Sequence, residues 1–106
     1  MMRRVVITGT GMVSPLGSGS EISWKRLLEG QNAAKRITDF QVDDITAQIA
    51  CQLPTDPSQE GAYNADDWME PKEQRKVDPF ITYAVAAAGL ALEDAGWAPK
   101  TEDDRC

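Results

Sequence analysis

The chain has 106 residues, of which 42% are hydrophobic, 26% charged and 7% aromatic, a composition that fits a folded protein rather than a disordered one. Its 17 acids against 11 bases give a net charge of -6. That sign argues against a nucleic-acid partner, because a phosphate backbone rewards a basic surface. No apolar run approaches the ~20 residues needed to span a bilayer, and Val5-Val6-Ile7 is too short for the apolar core of a secretory signal. Histidine is absent altogether, which removes Ser-His-Asp and Cys-His catalysis and every His-containing zinc site within the chain.

The cysteines, Cys51 and Cys106, have no CxxC spacing and make no disulfide framework, so a reducing cytoplasm is expected. Cys106, beside Asp103 and Asp104, has carboxylates opposing its ionisation and reads as an inert thiol. No metal or cofactor is expected. The charges are uneven. Residues 1–36 sum to +4, residues 37–71 to -8, residues 72–76 to +2 and residues 77–106 to -4. A compact cationic cluster inside an acidic chain is the main electrostatic feature.

The length allows one small domain. Arg4-Val5-Val6-Ile7-Thr8, closed by Gly9 and Gly11, reads as a strand apolar on both faces and therefore buried. Ser18 with Glu21 has the spacing of a capping box, and residues 19–29 read as a helix with Trp24, Leu27 and Leu28 on one face. Gly30 supplies its stop. Ala47, Ile49, Cys51 and Leu53 alternate with Gln48, Ala50 and Gln52, which predicts a half-buried strand ended by Pro54, with Cys51 as packing material. Pro54 to Gly61 reads as a polar surface loop.

Asp78-Pro79 starts the strongest helix, with a favoured N-cap and a proline at the first helical position. It runs from Phe80 to Ala95 and stops at Gly96. This helix is apolar nearly all round and rich in Ala and Gly, so it wants neighbours on every side and lets other backbones approach closely. Two strands and one amphipathic helix cannot wrap it. Either further elements escape the pattern or the chain is the first part of a larger α/β protein, and the second is the expectation.

Three groups invite a chemical reading. Val5-Val6-Ile7-Thr8-Gly9-Thr10-Gly11 looks like a strand entering a dinucleotide-binding turn, but Ser14-Pro15 follows where a third glycine and an immediate helix are required. The carboxylate pairs Asp43-Asp44, Asp66-Asp67, Glu93-Asp94 and Asp103-Asp104 are adjacent in sequence, do not face each other, and read as solvated surface. Lys72, Arg75 and Lys76 stand at i, i+3 and i+4, which on a helix gives one cationic face able to steer an anionic partner. An ordinary solvated helix end is the competing reading.

The opening Arg3-Arg4-Val5-Val6-Ile7-Thr8-Gly9-Thr10-Gly11-Met12-Val13-Ser14-Pro15-Leu16-Gly17 resembles that of the β-ketoacyl-acyl-carrier-protein synthases. Trp24-Lys25-Arg26-Leu27-Leu28-Glu29-Gly30 and Lys72-Glu73-Gln74-Arg75-Lys76-Val77-Asp78-Pro79-Phe80, with the Ala-rich helix ending Asp94-Ala95-Gly96, supply further landmarks in the right order. The Ser-Pro and Lys-Glu-Gln-Arg-Lys segments are more similar to synthase II than to synthase I. The resemblance implies the N-terminal portion of an α/β, thiolase-like fold, a homodimer when full-length, and decarboxylative Claisen condensation with malonyl-acyl-carrier protein in fatty-acid biosynthesis. It also implies that the nucleophilic Cys, two His and a Lys lie later in the family's sequence, so no catalytic residue falls in this chain. Neither Cys51 nor Cys106 matches the nucleophile motif. Lys72, Arg75 and Lys76 match the positions that dock the acidic carrier protein. The alternatives are a non-catalytic carrier-protein binding module and a nucleotide-binding domain using the Gly9-Thr10-Gly11 turn.

Overall fold

A computed structural model describes residues 2–101; the expectations for Cys106 and for Asp103-Asp104 lie outside them. The chain divides into two units, one drawn from residues 2–12 and 65–101 and the other from residues 13–64.

The 13–64 unit opens with a short antiparallel hairpin, β1 (Val13–Ser14) and β2 (Gly17–Ser18), turning at Pro15-Leu16. Helix α1 follows over Ser20–Leu28. Its N-cap is Gly19, with no side-chain cap, because Ser18 is taken up in the hairpin. The capping box therefore does not form. The C-terminal stop does: Gly30, at φ 72°, donates to the Leu27 carbonyl and Gln31 to that of Arg26, the paired bonds of a left-handed helix closure.

The face α1 turns inward is the opposite of the expected one. Ser23 is buried and Ile22 and Arg26 half-buried, while Trp24 (59%), Leu27 and Leu28 (68%) are exposed. The inward face holds the hairpin. Ser23 Oγ donates to the Gly17 carbonyl at 3.1 Å and shares a 2.8 Å bond with Ser14 Oγ. Arg26 donates to the carbonyls of Leu16 and Glu60, the latter at 2.6 Å. Ile22 lies against Gly17 and Gly61, where added Cβ atoms would stand 2.9 and 3.1 Å from its methyl and methylene carbons.

A second two-stranded sheet pairs β3 (Ala34–Arg36) with β4 (Ile49–Cys51), Lys35 opposite Ala50. The strand expected over 47–53 is thus shorter, and its covered face is the polar one. Ile49 is 71% exposed and Cys51 is exposed, so the thiol is not packing material. The reason is hydrogen bonding by the glutamines. Gln48 Oε1 accepts from Arg36 at 2.6 Å, and Gln52 Oε1 accepts from the Thr38 N–H at 3.1 Å, holding that side to the end of β3 and the residues that follow it. Residues 54–61 form the expected loop, in which Asp56 accepts from the Ser58 N–H and hydroxyl. Those two donors, the backbone one first, hold the Asp56 carboxyl below its ordinary value.

In the other unit, a 3-10 turn at Ala65–Asp67 leads to the short helix α2 (Pro71–Gln74) and the long helix α3 (Pro79–Ala95). Asp78 is the N-cap position of α3, Pro79 its first residue, and Gly96 at φ 62° its stop, closed by Gly96 N–H to Glu93 and Trp97 N–H to Leu92. Asp78 itself makes no side-chain cap bond. No helix among the described residues is long and apolar enough to cross a membrane.

Arg4 to Thr8 is not a strand here. No described residue offers it a ladder, and Val5 (92%) and Ile7 (87%) are exposed. A strand apolar on both faces is buried only when strands flank it and layers cover both sides. The residues that follow behave as the small helix residues suggested. Gly9 and Gly11 lie directly on the backbone of α3, over the stripe Ala87, Ala91 and Ala95. A Cβ at Gly9 would stand 2.5 Å from the Ala95 nitrogen, and one at Gly11 would meet the Ala87 carbonyl and stand 2.5 Å from the Ala91 nitrogen. The Thr10 N–H between them donates to Asp94 Oδ2 at 2.9 Å.

Among the described residues only Val42, Tyr63 and Ala86 are buried apolar side chains. On α3 only Thr82 and Ala86 are buried, and Phe80 (66%) and Leu92 (45%) are exposed. Exposed apolar surface on this scale marks an unmet interface. The isolated 106-residue chain should therefore bind a hydrophobic dye and aggregate rather than melt cooperatively; a sharp monomeric melt without dye binding would contradict this. Gly11→Ala should expel the 9–11 segment from α3, read as faster amide exchange at Thr10. Unchanged exchange would show that the backbone contact does not hold.

Candidate functional site

The cationic cluster is built on residues 65–76. Pro71 starts α2 behind Glu70, whose carbonyl accepts from the N–H groups of Glu73 and Gln74 at 2.9 and 3.0 Å. The helix ends there. Arg75 keeps helical angles (φ -68°, ψ -14°), and the Lys76 N–H folds back to the Glu73 carbonyl in a tighter turn. Lys72 is therefore the one member inside the helix proper, with Arg75 at its end and Lys76 just past it.

All three cations are exposed, but their charges are not equivalent. Lys76 Nζ is paired with Glu73 Oε1 at 2.8 Å. Among the described residues Lys72 and Arg75 have no ion pair, so they carry most of the local positive potential. The segment is tied down from behind by Gln74, whose Nε2 donates to the Met69 carbonyl at 2.7 Å and to Asp66 Oδ1 at 2.8 Å. One residue after the 3-10 turn, the Trp68 ring lies on Gly89 of α3. Sequence reasoning missed both Gln74 and Trp68. The close Trp68–Gly89 spacing has no local periodicity to betray it.

The other candidate groups find structural uses. Asp43 pairs with Arg36 at 2.5 Å, Asp66 accepts from Gln74, and Asp94 accepts from Thr10. The Gly9-Thr10-Gly11 turn is packed on α3 with a carboxylate at its central N–H, where a phosphate would be repelled. That geometry removes the nucleotide reading. Among the described residues no three His, Cys, Asp or Glu side chains gather as a metal site. A polar cleft of about 490 Å³ in the 13–64 unit is lined by residues that include Arg26, Lys35, Arg36, Gln52 and Glu60. Two of its three cations are engaged by carbonyls or by Asp43.

The model of the β-ketoacyl synthase N-terminal domain matches residues 2–106. The chain belongs to the β-ketoacyl synthase family. It is 65% identical over 104 residues to 3-oxoacyl-[acyl-carrier-protein] synthase 2 of Rhizobium meliloti, covering 98% of the chain and 25% of that protein. It is 42% identical to the synthase 2 of Vibrio harveyi, over 89% of the chain and 21% of that protein. Among solved structures, the ishigamide ketosynthase/chain length factor superposes with a TM-score of 0.75 at 34% identity, over 96% of this chain and 23% of the other. The fold is the N-terminal portion of the thiolase-like α/β fold of the ketosynthases. The chain spans about a quarter of the length of the curated synthases it matches.

Within this ketosynthase segment, the cation geometry ranks the three residues. The Lys76 charge is offset by Glu73 at 2.8 Å, so removing the pair together should change the local potential less than removing Lys72 or Arg75. The check is anion quenching of a fluorophore attached beside α2 in Lys72→Ala, Arg75→Ala and combined Glu73→Ala/Lys76→Ala variants. Equal losses in all three would mean that the Glu73 pair has no electrostatic consequence.

Proposed function

We propose that this chain is the N-terminal segment of a 3-oxoacyl-[acyl-carrier-protein] synthase of the synthase II type, acting in fatty-acid biosynthesis in the cytoplasm as a homodimer. The observation that carries the reading is the 65% identity to the Rhizobium meliloti synthase 2 along 98% of the chain. The reaction transfers an acyl group to a thiolate nucleophile, with N–H donors holding the thioester oxyanion. Malonyl-acyl-carrier protein loses carbon dioxide, and the enolate carbon so formed attacks the acyl carbonyl and releases the thiolate. The present segment supplies none of those reacting groups: it has no histidine, and Cys51 lies on an exposed strand face with no basic residue bonded to it among the described residues.

Its own contribution is docking. Lys72, Arg75 and Lys76 form an exposed positive patch in an acidic chain, which suits the acidic surface of a carrier protein. Such a patch acts on encounter rate and orientation more than on buried contact area.

The 106-residue chain alone should show no malonyl-dependent elongation above a buffer control, and measurable elongation would sink the proposal. In a full-length synthase bearing this segment, Arg75→Glu should weaken carrier-protein binding by about 1 kcal/mol, the upper range for an exposed charge pair. Added salt should narrow the gap, since exposed charges are screened over about 8–10 Å at physiological ionic strength. A paired kinetic assay, carrier-bound against free thioester, checks the assignment. Equal losses with both substrates would make the patch part of the scaffold, and carrier binding with no elongation by the full-length protein would favour a non-catalytic binding module.

A further inference from the structure

Helix α2 has four residues. One helical turn has no cooperative stability of its own in water, so an outside constraint must hold it in place. Two contacts on the side away from the cations supply that constraint. Gln74 Nε2 is shared between the Met69 carbonyl and Asp66 Oδ1, which staples the end of α2 to the segment before it. That segment is fixed in turn by Trp68, whose ring occupies the space where Gly89 has no side chain. A Cβ there would stand 2.6 Å from Trp68 Cε3 and closer still to Cζ3. The backbone N–H of Trp68 itself donates to the Ala65 carbonyl at 3.1 Å.

We infer that Gly89, Trp68 and Gln74 form a clamp that sets the direction in which Lys72 and Arg75 present their charges, and that they are positioning residues for recognition of an acidic protein surface. The inference rests on the docking role proposed above for Lys72 and Arg75, and adds the residues that make it geometrically specific. The chain of causes is short. Gly89 admits the indole ring, the ring seats residues 65–69 on α3, and Gln74 hangs α2 from those residues. Lys72 lies inside the hung turn and Arg75 immediately follows Gln74. Losing the clamp leaves the charges in place but lets their directions spread, which raises the entropic cost of docking.

The test uses the full-length synthase with carrier-bound and free acyl thioesters. Gln74→Met keeps the side-chain length and removes both bonds; it should raise KM for the carrier-bound substrate several-fold with kcat and the free-thioester reaction unchanged. Gly89→Ala should do the same by displacing the ring, and Gly89→Ala combined with Trp68→Leu should recover part of the loss by relieving the clash. If Gly89→Ala prevents folding, Gln74→Met, on an exposed segment, still decides. Because the clamp acts through the charges, Gln74→Met should add little to a Lys72→Glu/Arg75→Glu background. Full additivity there, or equal losses with both substrates, overturns the clamp. If Arg75→Glu lowers carrier-protein use and Gln74→Met does not, the docking role stands and the clamp falls. If neither matters, the docking role itself is wrong.

Discussion

The close approach of Gly9 and Gly11 to the backbone of α3 is the contact on which the rest of the 2–12 and 65–101 unit depends. Helix α3 offers Ala87, Ala91 and Ala95 on one face, four residues apart, so no side chain stands between its backbone and an incoming segment. The incoming segment carries no side chain at the two points of contact. Any Cβ at Gly11 would overlap the Ala87 carbonyl, which cannot move without breaking the helix. Thr10, between the two glycines, spends its N–H on Asp94 and fixes the register. The same device recurs with Gly89 and Trp68, where a missing Cβ on α3 admits a ring instead of a backbone.

Glycine thus has a packing role here in places where a sequence motif suggests phosphate chemistry. A Gly-x-Gly turn after a β-branched run suits a pyrophosphate because its N–H groups are unencumbered. In this chain the turn is pressed against a helix and its central N–H meets a carboxylate. One member of each described carboxylate pair, Asp43, Asp66 and Asp94, likewise serves as an acceptor for a neighbouring donor, and the one thiol among the described residues stands on an open strand face. Lys72 and Arg75 keep charges that no ion pair among the described residues offsets, and a large share of the apolar surface is exposed.

Local signals in the sequence translated well where the cause was local. Gly30 and Gly96 close their helices in the left-handed conformation, Pro79 opens α3, and the polar run 54–61 is a loop, because each depends on the φ and bonding of a few consecutive residues. The hairpin at 13–18 went unread, since a two-residue turn at Pro15-Leu16 carries no glycine or asparagine at its centre. The cationic cluster was legible as charge and spacing. Its inequality was not, because the Lys76–Glu73 pair depends on how the chain folds back after Gln74.

The amino-acid sequence by itself determined family membership, the bounds of α1 and α3 to within a residue, the lack of any histidine-based chemistry and the position of the positive patch, all of which follow from residue identity and short-range spacing. Only the tertiary structure decided which faces are covered. Period-2 and period-3.6 patterns state that two sides of an element differ, and the apolar side is normally the covered one. In the two places where that rule reversed, directional bonds chose the other side: Ser23 and Arg26 hold α1 to the hairpin, and Gln48 and Gln52 hold β4 to the end of β3 and the residues after it. Hydrophobic burial is non-directional and needs only enough neighbouring surface. Among the described residues that surface is too small, so Val5, Ile7, Trp24, Leu28 and Ile49 stay in water while the hydrogen-bonded faces pack.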